Sequence, residues 1–274
     1  MAENKPLTFG SLFAGIGGFD LGFERAGMIC KWQVEIDDYA TKVLAKHWPH
    51  VHRERDIREC GSHNLEPVDV ICGGFPCQDI SYAGLGAGLD GERSGLFFEA
   101  IRLVRQLQPR IVVLENVAAL LTRGMDRVLG TLAAIGYDAE WHCIPAASVG
   151  APHIRDRVFV VAHSHANSGG RHINGFCYEM ADTDNSRSQG MREEWESSKR
   201  ENTSGHAGQG SLGGRTKSKQ WATEPNVGRV AHGVSKRVDR LRGLGNAVVP
   251  QVAEWIGRRI VDHERSTTCQ RNGS

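Results

Sequence analysis

The loop Gly73-Gly74-Phe75-Pro76-Cys77-Gln78-Asp79-Ile80-Ser81 sets a thiol behind two glycines and a proline. An intracellular cysteine ordinarily packs as a small hydrophobe, and Cys30, Cys60, Cys72 and Cys143 suit that role. Cys77 does not, because a buried apolar residue has no use for a Pro-stiffened, glycine-flanked loop. The chemistry open to it is nucleophilic attack through the thiolate. A carboxylate follows the apolar run Ile111-Val112-Val113-Leu114, in Glu115-Asn116-Val117. Two arginines, Arg155 and Arg157, lie two apart in Gly150-Ala-Pro-His-Ile-Arg-Asp-Arg157. On an extended segment they project to one side, where they can bond a substrate carbonyl or a phosphate.

A second constellation concerns a ligand rather than a reaction. Ser11-Leu-Phe13-Ala-Gly15-Ile16-Gly17-Gly18 stands between a strand-like run and a helix-like one. Glycines there allow a sharp turn and close approach of a ligand to the backbone. Glu35 falls at the end of the next strand, where a carboxylate accepts hydrogen bonds from ribose hydroxyls. Asp56 can address an adenine amino group while Ile57 packs on the ring. The loop alone fits a nicotinamide dinucleotide as well as S-adenosylmethionine.

The elements that must carry these groups follow from periodicity. Strands are expected at Leu7–Phe13, Trp32–Ile36, Val68–Cys72, Ile111–Leu114, Tyr137–Ile144 and Arg157–Ala162. Asp37 is placed to cap a helix with Ala40, Val43, Leu44 and His47 on one face. Phe97, Ala100, Ile101, Val104 and Leu107 mark a helix stopped by Pro109, and Met125 to Ile135 another stopped by Gly136. Val252, Ile256 and Ile260 suggest a closing helix. Alternation of this kind predicts a doubly wound, Rossmann-like α/β sheet, with ligands at the carboxyl ends of its strands.

Composition narrows the classes. With 33 Lys+Arg against 32 Asp+Glu the chain is no globally basic nucleic-acid binder, so any such contact must be local. Arg229 to Arg242 is one such patch, with five basic residues against one acid. Between His163 and Gln220 only 11 of 58 residues are apolar, too few for a separate core. The seven cysteines form no C-x-x-C pair, which argues against a zinc site; no metal is expected. No apolar run reaches about 18 residues, and MAENKPLTFG lacks the regions of a signal peptide, so the expected location is cytoplasmic.

Taken together and in order, these segments resemble the cytosine-5 DNA methyltransferases. Phe13-Ala-Gly15-Ile16-Gly17-Gly18 is similar to the family's cofactor loop, and Glu35-Ile36 and Asp56-Ile57 to its adenosine-binding segments. Gly74-Phe75-Pro76-Cys77-Gln78 resembles the nucleophile motif, Glu115-Asn116-Val117 the acid motif and Arg155-x-Arg157 the paired-arginine motif. Gly245-Asn246-Ala247-Val248-Val249-Pro250 resembles the late segment that folds back on the cofactor domain.

The resemblance implies S-adenosylmethionine as cofactor and duplex DNA as partner. Cys77, Glu115, Arg155 and Arg157 are then catalytic, and Pro76, Leu96, Asn246 and Val248 join the cofactor set. Gln78, Ser81, Lys236, Arg237, Arg240 and Arg242 are expected to contact DNA. The implied organisation is a catalytic domain over 1–162, a small polar target-recognition region over 163–238, and a returning segment over 239–264. The implied protein is a monomer in the cytoplasm of a bacterial or phage-infected cell, associated with the nucleoid when on DNA. His153 stands where the family usually has glutamine, and the recognition interval is short. Two rival readings keep the fold: a cytosine-5 tRNA methyltransferase and a catalytically silent DNA-binding relative.

Overall fold

Val70-Ile71-Cys72 and Ile111–Leu114 are apolar without alternation, and each of their residues is at most 2% exposed. A strand is buried this way only with helices on both faces. In the computed structural model, which describes residues 5–76, 95–168 and 237–271, these runs form the centre of the sheet. Its strands are β1 (Thr8–Leu12), β2 (Ile29–Val34), β3 (His52–Glu54), β4 (Val70–Gly74), β5 (Ile111–Val117), β6 (Tyr137–Pro145) and β7 (Asp156–Ser164). The helices are α1 (Gly18–Arg25), α2 (Asp38–His47), α3 (Gly95–Leu107), α4 (Met125–Ala134), the single turn α5 (His165–Ser168), α6 (Arg237–Asn246) and α7 (Pro250–Arg271).

The strand order is β3-β2-β1-β4-β5-β7-β6. The first five pair in parallel, while β7 runs antiparallel to both β5 and β6. The chain winds outward from β1 to β3 and then returns to β4 on the other side of β1. That reversal opens a crevice at the carboxyl ends of β1 and β4, and the mixed α/β sheet is Rossmann-like as expected.

One face of the sheet meets α3 and α4, whose Phe97, Leu103, Val104, Val128 and Leu132 join Leu12, Ile71, Val112 and Val160 in a single core. On the other face Phe23 of α1 packs edge-on against Phe9 of β1, and Phe19 against Phe159 of β7. Helix α7 covers α1 there. A Cβ on Gly22 would lie 2.5 Å from that of Ala253, so the small residue permits the close crossing. Asp37 caps α2 by accepting from the Ala40 N–H at 2.8 Å, and Gly136 follows α4 at φ 85°.

Three expectations need correction. Strand β3 has no apolar residue to announce it; it forms because β2 offers it backbone partners at the sheet edge. Glu115-Asn116-Val117 and Gly73-Gly74 belong to strands β5 and β4 rather than to the loops after them. Cys143 is exposed, unlike Cys30, Cys60 and Cys72, because β6 is the opposite edge strand.

Gly10 shows how tightly the sheet centre is fitted. A Cβ there would fall 2.1 Å from the ring of Trp32, which is fully buried and donates its indole N–H to Glu66 O at 2.9 Å. Gly10→Ala is therefore expected to destabilise by about 1–3 kcal/mol through overpacking. Urea denaturation measures this; an unchanged midpoint would show that Trp32 can move aside.

Candidate active site

The crevice is built first from the β1–α1 turn. Phe13, Gly15 and Gly17 have φ of 51°, 55° and 86°, so the chain leaves β1 through three left-handed residues. Two of the three are glycine, where that conformation carries no steric penalty. Gly17 opens α1 without a side-chain cap, so the first-turn N–H groups face the crevice end of the sheet. Glu35, 9% exposed, binds this turn from β2. Its Oε2 accepts from the Gly15 N–H and its Oε1 from the Asp37 N–H, each at 2.7 Å. Each oxygen keeps a further lone pair.

Beside it Ile36 is 64% exposed, whereas Ile57 is 3% exposed and belongs to the core. Ile57 thus does not offer the ring-packing surface that the sequence suggested. Asp56 caps a short 3-10 turn, Ile57–Glu59, by accepting from the Arg58 N–H, and that turn directs Ile57 inward. Ile36 is the apolar surface at this position instead. Leu96, at the start of α3, is partly buried against the core, and Pro76 is exposed.

The acid and the nucleophile loop start side by side. Gly74 of β4 pairs with Glu115 of β5, and a Cβ on Gly74 would lie 2.7 Å from Glu115 Oε2. Glycine at 74 is thus what leaves room for the carboxylate. Phe75 is buried and its carbonyl accepts from Asn116 Nδ2 at 3.0 Å, which anchors the outgoing chain. Cys77, Gln78, Ser81 and Lys236 lie outside the described residues. Arg237, Arg240 and Arg242 fall on helix α6.

Glu115 is 7% exposed, and burial pushes its carboxyl up to about 7, against the opposing pull of Arg157 and Arg155. Arg157 Nε stands 2.9 Å from Glu115 Oε1. The two arginines both act on this carboxyl but make different hydrogen bonds. Arg155 precedes β7 with φ 39°, in the left-handed region, and its Nη2 donates to the carbonyls of Gly245 and Ala247, each at 2.7 Å. Asn246 between them is exposed, and Val248 is buried.

Sequence reasoning missed the polar group beneath the glycine turn. Asp20 of α1 is fully buried, and it accepts from Gln33 Nε2 at 2.8 Å and Ser11 Oγ at 3.1 Å. Arg53 Nε donates in turn to Gln33 Oε1 at 3.0 Å. Burial raises the Asp20 carboxyl to about 6. The only sequence signal was an acid on the apolar side of a helix, Phe19-Asp20-x-x-Phe23. Among the described residues no group of three or more His, Cys, Asp or Glu could hold a metal, and no helix is long and apolar enough to cross a membrane.

Known proteins resemble this chain in sequence and fold. The family model for C-5 cytosine-specific DNA methylases matches residues 7–222. The type II methyltransferase M.HgiCII of Herpetosiphon aurantiacus is 36% identical over 162 residues, covering 57% of this chain and 37% of that protein. M.Eco47II of Escherichia coli is 37% identical over 167 residues, covering 58% and 40%. The chain therefore spans less than half the length of either relative. The solved Dnmt2 methyltransferase of S. pombe superposes with a TM-score of 0.51 at 17% identity, over 58% of this chain and 51% of that one, which is a likeness of fold.

Proposed function

Since the chain belongs to the C-5 cytosine-specific DNA methylases, we propose that it methylates C5 of a cytosine flipped out of duplex DNA, as a DNA (cytosine-5)-methyltransferase. The observation that carries this reading is the pairing of Gly74 with Glu115. The chain that leads to Cys77 leaves the sheet beside a buried carboxylate on which Arg157 rests.

The crevice suits S-adenosylmethionine. The lone pairs left on Glu35 can accept from ribose hydroxyls, and the exposed Ile36 offers a surface to the adenine. A buried acid at this position disfavours a phosphorylated ribose. Phe13, Ile16, Gly17 and Gly18 of the turn, with Asp56, Pro76, Leu96, Asn246 and Val248, complete the proposed set. When bound, the cofactor supplies an electrophilic methyl group. Glu35→Ala is expected to weaken its binding by about 1–3 kcal/mol, the scale of charge-assisted hydrogen bonds. Calorimetry reads this directly, and unchanged affinity would move the ribose contact elsewhere.

Cytosine C5 is a poor nucleophile until a group adds at C6. Cys77 as thiolate forms the S–C6 bond and sends the ring's electron pair toward C5. Glu115, with its carboxyl near 7, is about half protonated at neutral pH. Its O–H then donates to N3 while its other oxygen accepts from the exocyclic amine, so charge pushed into the ring is held there. Arg157 keeps that carboxyl in place and reaches the ring carbonyl. Once C5 carries the methyl group, a base removes the C5 proton, the S–C6 bond breaks and Cys77 is freed. Lys236, Arg237, Arg240 and Arg242, with Gln78 and Ser81, are proposed to hold the DNA. The working unit in this proposal is a monomer on DNA in the cytoplasm.

The test is transfer of labelled methyl from S-adenosylmethionine to duplex DNA, with tRNA as the parallel acceptor. Transfer to the duplex supports the proposal; transfer to tRNA alone, or binding of DNA without transfer, overturns it.

A further inference from the structure

Arg155 is tied to a part of the chain far from the acid it neighbours. Its Nη2 bridges the carbonyls of Gly245 and Ala247, which lie 90 and 92 residues away. Gly245 lies in the last turn of α6, and Ala247 opens the connection from α6 to α7. On that connection Val248 is buried, and its carbonyl lies where a Cβ on Gly18 would be, at 2.3 Å. Gly18 opens α1 directly after the glycine turn. The connection is thus gripped on one side by Arg155 and rests on the other against the turn of the proposed cofactor crevice. Ala247 N donates back to Gly243 O at 3.0 Å, the last i→i−4 bond of α6, and Arg155 takes carbonyls of the helix end, where intrahelical donors run out.

The backbone supports this division of labour. Arg155 has φ 39° and stands outside β7, while Arg157 lies within the strand and meets Glu115 at 2.9 Å. The two arginines thus make different hydrogen bonds, although both charges act on the Glu115 carboxyl. A residue held in the left-handed conformation marks a constraint that the surroundings impose.

We propose that Arg155 is a positioning residue for cofactor binding: a latch that fixes the 245–249 connection against Gly18 and so completes the cofactor wall. Contact with the target base then falls to Arg157. The inference rests on the proposed S-adenosylmethionine site, but it has a consequence that does not. The amides of 245–249 should be protected from hydrogen exchange by Arg155 even in the cofactor-free protein.

The experiment compares Arg155→Met, Arg155→Lys and Arg157→Met in the full chain, with S-adenosylhomocysteine as the calorimetric probe. Arg155→Met keeps the apolar stem and removes both donated bonds. It is expected to weaken probe binding about tenfold or more and to raise exchange at 245–249. Arg155→Lys keeps the charge on a shorter stem and should fall between Met and the parent. Arg157→Met should leave probe affinity within about twofold while abolishing methyl transfer. A merely structural role would lower stability alike in the variants without separating probe affinity from turnover. Parent-like affinity and parent-like exchange in Arg155→Met overturn the latch. Should Arg155→Met fail to fold, Arg155→Lys decides in the same way. If the parent itself does not bind the probe, the cofactor reading fails, and the exchange measurement still judges the latch.

Discussion

Cys77→Ser is expected to lower methyl transfer by at least about 10³-fold, the scale on which a covalent nucleophile matters. A serine hydroxyl is far less acidic than a thiol and a weaker nucleophile toward C6. S-adenosylmethionine affinity should stay within about twofold of the parent, because the residue attacks the base and not the cofactor. The measurement pairs single-turnover transfer with calorimetry. A duplex bearing 5-fluorocytosine at the target supplies the complement: fluorine at C5 cannot leave as a proton, so elimination stops and the enzyme–DNA adduct persists in denaturant. Near-parental turnover in Cys77→Ser would remove the covalent mechanism.

Glu115→Gln should separate activity from stability. The carboxyl is raised to about 7 from an ordinary 4.5. Between those values the folded protein binds more protons than the unfolded chain, so stability falls as pH rises through this window. The full penalty is present above about pH 7, on the order of 3 kcal/mol. Gln resembles the protonated carboxyl and escapes that penalty. Urea denaturation should find Glu115→Gln more stable than the parent by roughly that amount at pH 8, and nearly equal to it at pH 4.5. Methyl transfer should fall sharply at both, since the amide can hydrogen-bond N3 but cannot transfer a proton to it. A variant no more stable at pH 8 would mean that the folded protein holds the carboxylate at no net cost. The acid proposed to do the chemistry is then one the fold tolerates rather than one that holds it together.

The sheet and the acid were legible because their signals are local. Ile111–Leu114 announces a doubly covered strand, and whatever follows it must stand at the strand's carboxyl end, where Glu115 is found. Glu35 was placed by the same reasoning, and its bond to the Gly15 N–H ties it to the turn. What escaped the sequence depends on distant partners. Nothing near Arg155 says that its donors will go to Gly245 and Ala247. Ile57 reads as a surface residue until Asp56 caps the turn that carries it inward. Strand β3 is polar throughout and exists only because β2 has an open edge. Cys77 and the polar interval 163–228 are read from the sequence alone, and the proposed chemistry at the first is what the serine variant tests.

Helix α7 lies across α1, with Gly22 against Ala253, and the connection before α7 sets Val248 against Gly18. The wall of the proposed cofactor crevice thus joins two segments of the chain that lie far apart in sequence. On the ribosome the glycine turn is made long before the residues that close over it. A nascent chain with strands β1 to β5 already threaded out has a nucleophile loop and an acid but no finished cofactor wall. The proposed cofactor wall can therefore close only after residues 245–249 have left the ribosome, and such long-range closure is slow to form.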